Sequence, residues 1–251
     1  MPTTGANQDA GILTQFTIDL PGASPEVLTQ LTPVEVILGE SLLTPGLQTS
    51  VRCHSYQHVV PSKNLDSLKG SPLGISLERK CLESFNLESK LEVRQRVYRL
   101  EQRRPIAHSI EEFVIHACDQ TLLNDASTLV SRSWKCESPS SVVSYVLQHC
   151  AGASYPEIEP SGMPRDYIAE NIHPFQVVQQ QAQAALADGN DPSFVHFMTY
   201  RNYGTHYFRS LNFMTRQPPD AEFFPTEVGA EHGYVDPRLI MTHSFPCDFD
   251  L

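Results

Sequence analysis

The sequence predicts an α+β protein with three parts: a mostly antiparallel sheet or barrel, an inserted α/β segment of two helices plus a β-hairpin, and an extended Pro-rich C-terminal arm. Three observations predict it. Between Val34 and Ala117 apolar residues recur at every second position, in runs closed by proline and glycine. Between Ser138 and Ala185 they recur at every third and fourth position. The last part gathers Pro218, Pro219, Pro225, Pro237 and Pro246 with Phe223, Phe224, Tyr234, Phe245 and Phe249. Prolines forbid regular structure there, while the aromatics favour burial.

Residues 1–12 are mostly small and polar and read as a flexible leader. Leu13, Phe16, Ile18 and Leu20 suggest a first strand closed by Pro21-Gly22. Val34, Val36 and Leu38 alternate with Glu35 and Ile37, Pro45-Gly46 makes a turn, and Leu47–His54 resumes with Leu47, Thr49 and Val51 on one face. That pattern is a β-hairpin. Leu73–Leu77 follows the break at Gly70-Ser71-Pro72. Leu91–Leu100 then sets Leu91, Val93 and Val97 against Glu92, Arg94 and Arg96. After a loop over Arg103–Ser109, Phe113, Ile115 and Ala117 define another strand, so residues 13–120 form the sheet domain.

Ser138-Pro139 supplies an N-cap and a proline at the first helical position, ahead of Val142, Val143, Val146, Leu147 and Cys150. A second helix is expected from Pro174, carrying Phe175, Val178, Ala182 and Ala185 and ending at Asp188-Gly189-Asn190. Phe194–Tyr200 and His206–Leu211 flank Asn202-Tyr203-Gly204 as a hairpin would. Residues 121–217 are therefore the α/β segment and 218–251 the arm. Trp134, Val142, Val143, Val146 and Leu147 are assigned to the segment's core, and Phe223, Phe224, Tyr234, Phe245 and Phe249 to an interface.

Composition narrows the function. The 251 residues are 40% hydrophobic and 19% charged, as in chains that fold. Eighteen Lys and Arg against 29 Asp and Glu give a net charge of −11, which disfavours binding nucleic acid by neutralising phosphates. The densest basic run, Arg94–Arg104, is interrupted by Glu101. Apolar stretches such as Phe194–Tyr200 fall short of the roughly 20 residues that span a bilayer, and the N-terminus lacks a secretion signal's pattern. A non-exported product without a membrane segment is expected. Cys53, Cys81, Cys118, Cys136, Cys150 and Cys247 show no paired spacing and read as reduced and structural.

Catalytic signals are sparse. Cys53, His54 and His58 suggest a metal site only if they lie on a helix, and this segment reads as a strand end. His206, His232 and His243 read as surface or interface histidines. The hydrolase elbow, phosphate loop and dinucleotide fingerprint are absent from the sequence. No enzyme activity, cofactor, metal or catalytic residue is expected.

Four blocks, in order over residues 34–217, carry a resemblance. They are Val34–Val51; Val97-Tyr98-Arg99-Leu100 with Arg103 and Glu112-Phe113-Val114-Ile115; Leu123-Asn124 with Val130-Ser131-Arg132-Ser133-Trp134-Lys135 and the helix Ser138–Cys150; and Pro174-Phe175 with Phe197–Tyr200, Gly204 and Phe208-Arg209-Ser210-Leu211. Together they resemble the baseplate hub family of contractile-tailed phages, related to the hub region of type VI secretion spike proteins.

The resemblance implies a tail-tube-like barrel and a structural role without turnover. It implies a homotrimer that adapts the sixfold tail tube to the trimeric central spike, in the tail baseplate of a virion assembled in the host cytoplasm. Implied partners are the tail tube protein, the central spike protein and wedge or other baseplate proteins, with the genome passing through unbound. The C-terminal arm would dock on a neighbouring chain. Hubs of the family carry a second barrel, for which few residues remain here, so part of residues 60–95, the inserted part or a partner chain such as the spike protein would complete the ring. Three other readings stay open: a distal tail or tube-terminator ring protein, a tail-associated hydrolase, and an unrelated α+β domain.

Overall fold

A computed structural model describes residues 12–18, 31–56, 69–78, 90–200, 202–217, 224–225 and 239–240. Its main feature is a six-stranded antiparallel sheet in the order β1-β4-β5-β6-β3-β2. The strands are β1 (Ile12–Ile18), β2 (Leu31–Gly39), β3 (Gln48–Tyr56), β4 (Pro72–Glu78), β5 (Lys90–Ala107) and β6 (Ile110–Cys118). The expected antiparallel sheet is present. Among the described residues no ladder joins its edges, β1 and β2, so the sheet is open rather than a closed barrel.

Period-two patterning explains which face is buried. Val36, Val51, Ile115 and Leu100 lie in register across four strands, and Val51 and Ile115 are fully buried. Leu73, Ile75, Val93, Val97, Cys53 and Phe113 extend the same core. Val34 is an exception to its expected alternation. A bulge between Pro33 and Glu35 resets the strand, and Val34 is exposed.

β5 also departs from the expected loop over Arg103–Ser109, since it continues to Ala107 before a tight turn into β6. Three register shifts, at Val97/Arg99, Glu101/Arg104 and Pro105/Ala107, hide the alternation. Its first part, Lys90–Arg96, pairs with β4, and Arg96–Ala107 pairs with β6, so one strand carries two staggered ladders.

Residues from Gln120 onward build a second core. After α1 (Gln120–Ser127) come β7 (Val130–Glu137), α2 (Pro139–Val146), the two-residue β8 (Glu157–Ile158) and β9 (Arg165–Ile172). Then follow α3 (Pro174–Ala182), β10 (Phe194–Met198), β11 (His206–Ser210) and a short α4 (Leu211–Thr215). β7 pairs with β9, while β10, β11 and β8 form a second small sheet.

Ser138 caps α2 as expected, its Oγ accepting from the Ser141 amide at 3.2 Å. The helix continues through a π-turn, Leu147–Ala151, and stops at Gly152 in the left-handed region. α3 ends at Ala182, short of the expected Asp188-Gly189-Asn190, which instead forms a turn closed by an Ala187–Asp191 bridge. α1 and β9 add to the expected two helices and hairpin.

Farther on, β12 (Phe224–Pro225) and β13 (Leu239–Ile240) pair in parallel. Among the described residues, no helix is long and apolar enough to cross a membrane.

Candidate functional site

The face of the sheet opposite the core is a grid of charges. In one row Glu35 on β2 meets Arg52 on β3 at 3.0 Å. In the next, Glu112 on β6 receives Arg104 of β5 at 2.6 Å and lies 3.4 Å from His54 of β3. A third row joins Ser50, His116 and Arg99 in register, with His116 2.9 Å from Ser50 Oγ and 3.0 Å from Glu101, which also pairs with Arg99. Arg103 and Glu111 clamp the end of the β5–β6 ladder at 2.5 Å. Burial opposes ionisation of Glu112, but the Arg104 and His54 hydrogen bonds and the Arg104 and Arg52 charges hold its carboxyl below the usual range.

A second polar cluster joins the two cores. Asp119, between β6 and α1, caps α1 by accepting at Oδ1 from the Thr121 and Leu122 amides, at 2.9 and 3.1 Å. Oδ2 accepts from the Leu47 amide at 2.9 Å. The same Oδ1 receives the Thr121 hydroxyl, and Thr121 Oγ1 lies 3.0 Å from His206 Nε2. His206 Nδ1 is 3.0 Å from His196 Nε2, and Phe175 packs against both rings.

Burial holds His206 at about 4, against a smaller upward pull from Asp119, and burial together with the charge of His206 pushes His196 well below the usual range. Both imidazoles are therefore neutral near pH 7. Nearby, Tyr200 donates to Gln48 O at 2.5 Å, and Tyr203 donates to Arg94 O, so the β10–β11 loop locks onto the sheet.

Beside His196 lies a cavity of about 570 Å³, with Phe175, Phe194 and Leu122 on its walls and Leu42 and Leu43 beside them. Leu43 is 83% exposed. Gly46, which ends the loop at φ +99°, fits closely against Leu122, where a Cβ would stand 3.1 Å from Cδ1.

The residues singled out in the sequence fall as follows. Trp134, Val142, Val143, Val146 and Leu147 are all buried in the second core, with Trp134 stacked on Tyr167 and edge-on to Tyr145. The side chains of Phe223, Phe224, Tyr234, Phe245 and Phe249 lie outside the described residues, as do His58, His232, His243, Cys81 and Cys247.

Cys53 faces the core and His54 the opposite side, so strand geometry separates those two neighbours. Among the described residues no cluster of metal-binding side chains occurs. His206 corrects the expectation of a surface histidine. It is completely buried, which its two hydrogen bonds make affordable for a neutral ring. His196 and Asp119 carried no sequence signal as a pair, although Asp119 followed by Thr121 and Leu122 is a recognisable helix start.

No protein-family model matches the chain, and no curated protein matches it in sequence. Similar solved structures include the 43 kDa tail protein of prophage MuSo2 from Shewanella oneidensis, at 7% identity over 71% of this chain and 53% of that one, TM-score 0.46. A second is an E. coli component of the type VI secretion system described as structurally similar to the T4 bacteriophage tail proteins gp27 and gp5, at 11% identity over 77% and 48%, TM-score 0.47. A third is a tail protein from Neisseria meningitidis MC58, at 10% identity over 75% and 48%, TM-score 0.48. Two of the three are described as tail proteins and one as a type VI secretion component. The chain spans about half the length of these solved chains, and no residue role passes between them at such identities.

Proposed function

We propose that the protein is a structural component of a phage-type tail: a baseplate hub, assembled as a trimer, that joins the sixfold tube to the central spike and forms part of the DNA channel. The observation that carries this reading is the two-faced sheet. One face seals a core, and the other carries cross-strand rows in which Arg52, Arg99 and Arg104 each meet a carboxylate, while Arg96 on the same face donates to Gln120 and to Gly70 O. On those rows the charges are already compensated. Turned toward a lumen, the face offers passing phosphates no unpaired cation on those rows, so a genome would slide rather than bind. The order of the four sequence blocks supports the same reading.

In this reading residues 121–217 are an insert in the ring, and the C-terminal arm docks on a neighbouring chain through Phe223, Phe224, Phe245 and Phe249. Truncation after Gln217 is expected to leave a folded protein that no longer assembles; a ring that forms regardless removes the docking role. The deciding measurement is quantitative mass spectrometry of purified tails. Three copies per particle, equal to the spike, are expected. Six copies would indicate a sixfold tail ring instead, and absence from the particle would end the virion reading.

A further inference from the structure

A stack of side chains reaches the surface beside the second core. Arg132 of β7 shares a face with its register partner Ala169 and with Trp134, and its guanidinium carbon lies 3.9 Å over the Tyr145 ring and 5.6 Å over Trp134. His149 stacks on the same Tyr145 ring, 4.4 Å between centroids and 13° between planes. Two groups this close to one ring centre must take its opposite faces, so the order is Arg132, Tyr145, His149. Arg132 and His149 are exposed, and Tyr145 is half-buried. Stacking fixes the plane of the guanidinium and leaves its N–H edge open. Among the described residues Arg132 makes neither an ion pair nor a hydrogen bond. The acids of its own ribbon are turned elsewhere. Asp166 accepts from the Cys136 amide at 2.8 Å, and Glu170, next to buried Ala169, lies on the opposite face.

We propose that this stack is the docking site for Asp248-Phe249-Asp250 of a neighbouring copy of the chain, with a carboxylate on the N–H edge of Arg132 and the Phe249 ring against His149. It rests on the reading of the C-terminal arm as a connection between chains. Charge selects the occupant. Residues 218–251 carry seven Asp and Glu against one Arg, whereas Arg52, Arg99 and Arg104 on the sheet already hold carboxylates. Phe249 is the only aromatic residue of the sequence with an acid on both sides. A ring on the stack therefore keeps a carboxylate one residue away, about 3.5 Å of chain, in either direction. A guanidinium receives a carboxylate through two parallel N–H···O bonds, and one already ordered on a ring loses less freedom in doing so. Arg, Tyr and Trp are also the residues on which binding energy concentrates.

The test follows assembly of the full chain by sedimentation. Arg132→Glu should raise the concentration at half assembly by at least about a hundredfold, and Asp248→Arg with Asp250→Arg should do the same. Combining all three substitutions should restore assembly to within about tenfold of the unaltered chain, which variants that had lost their fold could not do. Arg132→Lys keeps the charge without the flat fork and should weaken assembly about tenfold. Undiminished assembly of Arg132→Glu, or no recovery in the triple variant, overturns the proposal.

Truncation after Gln217 separates this site from the reading beneath it. If truncation abolishes assembly and Arg132→Glu does not, the arm docks elsewhere and only this site falls. If the truncated chain assembles, the arm loses its role and the site falls with it. The unaltered protein gives a second readout, because Trp134 is the single tryptophan and lies against Arg132. Its emission should shift as assembled chains are diluted apart, and unchanged emission across dissociation overturns docking at the stack.

Discussion

Polar groups are accommodated in two different ways, on the outer face of the sheet and inside the cores. The sheet exposes its polar face and neutralises it with cross-strand pairs such as Arg52–Glu35, half open to solvent. Both cores also take polar groups inside: Thr49 and Gln95 are buried under the sheet, where Thr49 meets Tyr200 and Gln95 donates to Leu47 O, and His196, His206 and Ser210 are buried beside Phe175 and Phe208. Surface pairs contribute little each and can be exchanged, whereas buried polar groups must find partners and so fix one arrangement. The charged face of the sheet is patterned and tolerant; the buried polar groups of both cores are specified atom by atom.

Substitutions can sharpen that contrast. The largest effect is expected at Trp134, which packs among Tyr145, Tyr167 and Arg132. Trp134→Ala should cost roughly 3–5 kcal/mol in urea unfolding, and a loss under about 1 kcal/mol would show that the second core does not depend on it.

Acid should come next. His206, and more so His196, have folded pKa values below that of the unfolded chain, so as pH falls the unfolded chain takes up protons first. Their contribution is complete above about pH 6.5 and is lost as pH drops toward the value of about 4 held by His206. The shift of His206 alone corresponds to about 3 kcal/mol. Denaturation midpoints at pH 7 and pH 4 measure it, with a smaller drop expected in His206→Asn. An equal drop in both proteins would place the acid sensitivity elsewhere.

At the small end, Arg52→Ala should change stability by less than about 1 kcal/mol, read as a shift in thermal midpoint. A larger loss would mean that the charge grid is as specified as the buried cluster.

The same contrast explains what the sequence revealed. Pairing of β2 with β3 and of β10 with β11 was legible because apolar residues alternate around Pro45-Gly46 and Tyr203-Gly204. The start of α2 was legible from Ser138-Pro139. The end of β5 was hidden because three bulges break the two-residue period within a charged stretch. α1 buries none of its own residues completely, and β9 is mostly exposed, so neither shows an apolar stripe. The buried cluster was least legible of all: Leu47, Asp119, His196 and His206 come from segments far apart in the chain, and spacing along it does not encode their meeting.

Asp119 leaves the backbone almost no slack between the two halves of the molecule. It is the only residue between the end of β6 and the start of α1, and its carboxylate also grips the first residue before β3. A load applied to the α/β half would therefore pass into the middle of the sheet through β6 and β3 together, rather than being absorbed by a compliant joint. The molecule should respond to torque as a single lever.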